Sequence, residues 1–457
     1  MFVEYDKVIL QTLEFFLFSR YNANRYILER EIMSNVIDYV LANQYDSFYD
    51  KDFTMLDALA LTELAYLPFE DLVPSRHSSP KAPSLKQLAD LFEKKFQGKY
   101  PPLGMVSPHR LKLLSCFSTA KRYKQIRSLA FVNDYNLDSQ KQFAALTYQI
   151  RPKEYLVVFR GTDDTLIGWK EDFHMTYMEE VPAQVSAKDY LNQILQEIDG
   201  KVWLAGHSKG GNLAIFAASH VSPEYQERIQ EIYSFDGPGL HSSILSSKGY
   251  KDIERKVQAI IPENSIVGMM LEPPEADLIV KSKSIGLLQH NTFSWEIEED
   301  HFKVVSKVKD DSIQVNQTLK TWTANLSQDE LRDFFDLFFG IFIEAGILRF
   351  GDMTIDTSEK IQKVIQNRKN LSPEQVTMLE RITKLLIDIR FQIWKEHLPN
   401  LTKLKGVHFS GQLPAQWNEK IATLSTIKSE KQGGSLADFN LQEKIRSLLA
   451  DKNKGQS

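Results

Sequence analysis

A serine with glycines two positions to either side, Gly206-His207-Ser208-Lys209-Gly210, is the sharpest chemical feature of the sequence. It follows the apolar run Val202-Trp203-Leu204-Ala205 and precedes the small-residue stretch Gly211-Asn212-Leu213-Ala214-Ile215-Phe216-Ala217-Ala218. This context is a strand, a sharp turn and a helix, in which a side chain at Gly206 or Gly210 collides with the neighbouring strand or helix. The turn pushes the Ser208 hydroxyl into a cleft, and the helix N-terminus behind it favours developing negative charge. Nucleophilic acyl chemistry is what such an elbow serves. A phosphate loop fits poorly, because Gly-x-x-x-x-Gly-Lys-Ser/Thr is absent and Lys209 lies between the serine and Gly210.

A serine nucleophile needs a base, and on this kind of turn the partners follow in chain order serine, acid, histidine. The histidines after Ser208 are His220, His241, His290, His301, His397 and His408. His220 sits too far down the elbow helix, His301 lies in the acidic run Glu296-Ile297-Glu298-Glu299-Asp300, and His397 and His408 fall near the C-terminus. His290, in a loop after the last apolar strand, is the expected base, with His241 as the outside candidate. Asp236, which ends the strand Ile232-Tyr233-Ser234-Phe235, is the first choice for the acid that fixes the histidine tautomer. Glu263, after the next strand, is the alternative acid. The strand Val157-Val158-Phe159 runs into Arg160-Gly161-Thr162, and a Gly-Thr at a cleft can supply an oxyanion donor. The backbone N–H of Lys209 is the expected second donor, and Asp172, after Trp169, reads as a brace for the strand end at Arg160.

The elements that must hold these residues follow from periodicity. Residues 1–125 alternate helical patterns with polar connections, among them Leu56 to Ala65 with its strong helix formers. Breaks fall at Pro74–Pro80 and at Tyr100-Pro101-Pro102. From residue 126 to 301 the period changes: Leu129–Val132, Phe143–Ile150 and Tyr155–Phe159 read as strands, the last two joined by a hairpin turn. Helices near 164–180, 187–199 and 209–219 alternate with strands at 202–205, 232–235, 257–261 and 278–280. That alternation predicts a mostly parallel sheet covered on both faces. Residues 302–428 read as a helical appendix, with capping boxes at Ser327–Glu330 and Ser372–Gln375, and 429–457 as a polar tail. The Phe-rich run 334–342 in the appendix is read as a buried helix, or as a lid or acyl-chain pocket.

Several motifs together resemble class 3 lipases: Phe-Arg-Gly-Thr ending a strand, then Trp-x-x-Asp at Trp169 and Asp172, then Gly-His-Ser-x-Gly-Gly. More closely, the chain resembles an uncharacterised bacterial family of lipase-like α/β hydrolases common in Firmicutes. That family also shows the segments seen here at Asp38-Tyr39, Leu61–Leu67, Phe235–Gly239 and Gln289–Trp295. The resemblance covers roughly residues 34–300. It implies an α/β-hydrolase fold, an oxyanion-hole hydroxyl at Thr162 and a catalytic histidine at His290. The match departs at one point. Class 3 lipases place their acid after the strand that here ends near Ile261, where the matching residue is Ser265.

Composition bounds the remaining possibilities. The 457 residues carry 55 basic and 60 acidic side chains, a formal charge of −5, with no basic stripe suited to neutralising nucleic-acid phosphates. The single cysteine, Cys116, allows neither an internal disulfide nor a cysteine-based zinc site and reads as a small core residue. The N-terminus lacks the features of a secretory signal, and the apolar stretch Thr12–Phe18 is too short to span a bilayer. The expectation is a cytoplasmic protein with an α/β-hydrolase core between a helical N-terminal segment and a helical C-terminal appendix. It would hydrolyse a lipid or small-molecule acyl ester through an acyl-enzyme, with no metal or organic cofactor, no nucleic acid and no obligate protein partner. The reading leaves room for transient contact with a membrane surface. Acyl transfer or thioester hydrolysis with the same residues, and a hydrolase fold kept as a binding or regulatory module, are the alternatives.

Overall fold

In the N-terminal part, polar residues at three of the helix starts do the capping and apolar residues fill the interior. A computed structural model describes residues 34–76, 82–100, 107–163, 165–348, 363–364, 366–367 and 370–396. Four helices come first: α1 (Val36–Ala42), α2 (Met55–Leu64), α3 (Leu85–Phe96) and α4 (Ser107–Thr119). Asn35, Thr54 and Ser84 close capping boxes at the starts of α1, α2 and α3, satisfying backbone N–H groups that a helix cannot pair internally. Helix α2 is buried from Leu56 to Leu64, so its Asp57 and Glu63 must be paired; Asp57 meets Arg122 at 2.7 Å and Glu63 meets Arg110 at 2.9 Å.

The sheet has seven strands in sequence order. Strands β1 (Arg127–Asn136), β2 (Lys141–Arg151) and β3 (Glu154–Phe159) form an antiparallel meander. Helices α5 (Leu166–His174) and α6 (Pro182–Glu197) cross to β4 (Lys201–His207), which pairs parallel with β3. Helix α7 (Lys209–Ser219) leads on to β5 (Ile229–Phe235), and β6 (Val257–Pro262) and β7 (Leu278–Val280) complete the parallel set. Side chains alternate between two cores, as the period of a strand requires. Leu156 and Val158 of β3 face the core shared with α1–α4, whereas Tyr155, Val157 and Phe159 face the core shared with α6 and α7. The result is a mostly parallel α/β sheet with helices on both faces.

Two helices differ from expectation. The helices expected near 164–180 and 187–199 are instead Leu166–His174 and Pro182–Glu197. Pro182 occupies the first helical position of the second and holds Val181 at extended angles (φ −106°, ψ 157°), whereas the first has already closed at His174.

Beyond the sheet lie α8 (Asp310–Ala324), α9 (Gln328–Ile343) and α10 (Pro373–Glu396). Ser327 caps α9, and the Ser372 hydroxyl accepts from Gln375 N–H at the start of α10. A third core joins Trp322, Phe334, Phe335, Phe339 and Ile382 to Leu166 and Tyr177 beside α5. Phe335 stacks on Phe173 of α5 at 4.6 Å, so the Phe-rich run is an interior face of this layer. Lys170 of α5 pairs with Asp336 of α9 at 2.7 Å. Cys116 is half-buried against the first core, and burial pushes its thiol up. No helix among the described residues is long and apolar enough to cross a membrane. The apolar stretch Thr12–Phe18, Pro80, Pro101-Pro102, His397, His408 and the tail 429–457 lie outside the described residues.

Candidate active site

The Ser208 backbone sits at φ 61°, ψ −136°, between β4 and α7. A non-glycine residue held there costs on the order of 1–3 kcal/mol, and the surrounding bonds must enforce it. Its N–H donates to Phe235 O at 3.0 Å and its carbonyl accepts from Gly211 N–H at 2.9 Å. The flanking glycines are required sterically: a Cβ on Gly206 overlaps the Gly210 carbonyl, and one on Gly210 overlaps the Phe159 carbonyl at the end of β3. Ser208 keeps 8% of its surface exposed, and its hydroxyl has no hydrogen-bond partner among the described residues.

Asp236 follows β5 in a left-handed conformation (φ 48°) and is fully buried. Its Oδ2 lies 2.6 Å from His290 Nδ1. A carboxylate accepts, so Nδ1 carries the proton and Nε2 is left bare to act as a base. Asp236 Oδ1 accepts from Ser265 Oγ at 2.5 Å and from Gly268 N–H at 3.1 Å. Ser265, from the loop after β6, thus touches the carboxylate one strand away. Glu263 is placed elsewhere: it pairs with Lys309 at 3.0 Å, and its carbonyl accepts from Lys309 N–H. Helix α8 also grips this loop, since Ser312 Oγ donates to the Ser265 carbonyl and, at 3.0 Å, to Asn264 Oδ1.

The loop carrying His290 is held by its neighbours' polar groups. Trp295 Nε1 donates to Gln289 O at 2.7 Å, while the Gln289 amide accepts from Asn264 N–H and donates to Ser284 O. His207 Nε2 lies 2.8 Å from the His290 carbonyl and its ring is 4.5 Å from the His290 ring. Burial, and then the neighbouring His290, hold His207 well below the usual histidine range. A carbonyl only accepts, so neutral His207 carries its proton on Nε2 and accepts at Nδ1 from the Tyr66 hydroxyl, 3.2 Å away. The Arg110 guanidinium lies 3.8 Å over the Tyr66 ring, and Glu63 accepts from Thr292 Oγ1 at 2.8 Å. The N-terminal helices therefore reach the site through α2.

On the opposite side, a Cβ on Gly161 overlaps the His207 carbonyl and crowds Ser208 Cβ, which puts Gly161-Thr162 against the nucleophile. The backbone N–H groups of Thr162 and Lys209 have no acceptor among the described residues. Thr162 Oγ1 donates to Asp172 Oδ2 at 2.6 Å. Asp172 therefore serves Thr162, contrary to the expected brace at Arg160, which instead meets Asn133 at 2.9 Å and Asp163 at 3.6 Å. The reason is helical spacing, because the turn of α5 after Thr165 aims Asp172 back across the loop. Burial pushes the Asp172 carboxyl up to about 6, against the lowering influence of Lys209, the Thr162 hydroxyl and His290.

The other histidines are occupied elsewhere. His220 stacks on Phe216 at 4.1 Å, His241 caps the short helix Ser242–Leu245, and His301 lies exposed beside Asp300. No group of three or more His, Cys, Asp or Glu side chains among the described residues converges as a metal site requires. Composition and spacing gave no role to Glu63, Tyr66, Arg110 or the Lys209 side chain. The only signal was that charged and phenolic groups occur within an otherwise apolar helix pattern.

A family model described as Mbeg1-like matches residues 117–340. No curated protein matches the chain. Among solved structures, the chain is similar to M37 lipase at 16% identity and TM-score 0.30, covering 47% of this chain and 68% of that one. It is similar to a Rhizomucor miehei lipase propeptide complex at 16% identity and TM-score 0.26, covering 36% and 58%. For the lipase from Rhizopus microsporus var. chinensis the values are 13% identity and TM-score 0.29, covering 56% and 83%. The chain is thus similar, over residues 117–340, to the Mbeg1-like family.

Proposed function

We propose that this protein is a serine-dependent carboxylic-ester hydrolase that works through an acyl-enzyme. The observation that carries the reading is the 2.6 Å contact of His290 Nδ1 with buried Asp236, beside a serine held at positive φ. Ser208 Oγ attacks the ester carbonyl while His290 Nε2 takes its proton, and Asp236 stabilises the imidazolium without accepting that proton. The backbone N–H groups of Lys209 and Thr162 receive the oxyanion. His290 then protonates the departing alcohol, and a water activated by the same nitrogen releases the acid. The substrate class proposed is a lipid or small acyl ester.

Labelling by a fluorophosphonate probe tests the reading, because such a probe phosphonylates only an activated serine. Wild type is expected to label, and both Ser208→Ala and His290→Ala to lose labelling while keeping the wild-type circular dichroism. A folded wild type that does not label overturns the catalytic reading and turns the cleft into a binding site.

A further inference from the structure

Lys209 has a second face. Its backbone starts the elbow helix, yet its side chain is wholly buried, which is rare for a lysine and costly unless every proton of the ammonium is used. Here each one is. Nζ lies 2.9 Å from Gln142 O, 2.9 Å from Gln142 Oε1 and 2.9 Å from Glu171 Oε2. Glu171 is in turn anchored by Gln142 N–H at 3.1 Å and Ala183 N–H at 2.9 Å. Asp172 Oδ1 lies 3.7 Å from the same ammonium and, though enclosed, has no hydrogen-bond partner. One cation therefore faces two adjacent carboxylates, one of which holds the Thr162 hydroxyl.

We propose that the Lys209 ammonium is a positioning residue of the oxyanion hole. It ties the first residue of α7, whose N–H is one donor, to β2 and to the helix whose Asp172 orients the loop of the other donor. The charge also keeps Asp172 an acceptor for Thr162. This inference rests on the ester-hydrolase reading above and deepens it. The groups facing Asp172 are Lys209 from α7, Glu171 on its own helix, the Thr162 hydroxyl and, from the far loop, His290. Of the charged groups among these, Lys209 is the closest cation.

The test is the rate of fluorophosphonate labelling of the full chain against pH, with probe concentration varied to separate the maximal rate from probe affinity. In Lys209→Met the maximal rate is expected to fall about 10- to 100-fold with affinity little changed, by loss of donor alignment. The acid-side midpoint should move to higher pH, because Asp172 loses the cation that lowers its pKa. Lys209→Met leaves Glu171 unpaired and can fail to fold, so Lys209→Met with Glu171→Gln is measured beside it; the amide removes the unpaired charge, and its oxygen accepts from one of the two anchoring N–H groups. A double variant whose maximal rate falls with probe affinity unchanged supports the proposal, and its midpoint should move less than that of Lys209→Met because the Glu171 charge that raises Asp172 is gone as well. One that labels at the wild-type maximal rate overturns it and leaves Lys209 a stabiliser of the fold. An unlabelled wild type removes the hydrolase reading itself, a result distinct from either.

Discussion

The two walls around Ser208 are built on different principles. On the His290 wall, every buried polar atom of Asp236, Ser265, Gln289, His207, Tyr66 and Glu63 has a partner among the described residues, the bonds being divided between backbone and side-chain groups. On the Thr162 wall, Gln142 Nε2, Arg160 Nε and Asp172 Oδ1 are enclosed without one. The first wall fixes a single tautomer and a single ring position. The second brings Glu171 and Asp172 within 3.7 Å of the Lys209 ammonium, where burial raises the Asp172 carboxyl and an unsatisfied polar atom weakens stability.

The largest expected effect comes from breaking the satisfied wall. Asp236→Asn keeps the shape but can present its NH2 to Nδ1, which selects the wrong tautomer, so the labelling rate should fall roughly 10³- to 10⁴-fold. A change below tenfold would sink Asp236 as the orienting acid.

Next in size is the response of the two walls to acid, which should have opposite signs. His207 is held neutral, so the unfolded chain binds a proton that the native one refuses below the ordinary histidine range. Native stability from this wall is therefore lost as pH falls below about 6.5. Asp172, raised from 3.8 to about 6, holds its proton longer when folded. Its contribution is present below about pH 4 and is lost as pH rises through 6, an effect bounded on the order of 3 kcal/mol. Urea titrations should show Asp172→Asn gaining stability over wild type at pH 8 and not at pH 4. Equal effects at both pH values would mean that Asp172 is not strained by its surroundings. Thr162→Val sharpens the contrast kinetically: it removes the donor to Asp172, and labelling should slow about tenfold.

How far the sequence reaches into this site depends on whether a residue's role is local. Ser208, Gly206 and Gly210 are legible because their demands are steric and lie within one turn. The seven strands are legible because short β-branched and aromatic runs are bounded by turns or helices, and the start of the helix at Pro182 is set by a proline that favours the first helical position. The choice between Asp236 and Glu263 is different in kind. Both end adjacent parallel strands, and only the direction each chain takes afterwards decides which carboxylate meets Nδ1 of His290. Asp172 and the Lys209 ammonium were beyond sequence reasoning because their partners, Thr162, Gln142 and Glu171, come from separate elements brought together by tertiary packing.

Ser265 offers the finest probe of the comparison. Its hydroxyl donates to the Asp236 oxygen that does not touch His290, and its carbonyl is held by Ser312 of α8. A hydrogen bond to a charged acceptor contributes about 1.5–3 kcal/mol, but Gly268 N–H remains on the same oxygen when Ser265 is truncated. Ser265→Ala should therefore slow labelling by only about three- to tenfold, as the carboxylate gains freedom to rotate. Glu263→Gln, which breaks a half-exposed pair with Lys309, should change it by less than about twofold. Ser265→Asp is the decisive variant. It places a second carboxyl against Asp236, and two buried carboxylates within hydrogen-bond distance cannot both ionise. If Asp236→Asn combined with Ser265→Asp recovers at least tenfold over Asp236→Asn alone, His290 accepts an acid from either strand end. No recovery would mean that the closed wall, with Trp295, Gln289 and His207 holding the loop, admits the acid from β5 alone.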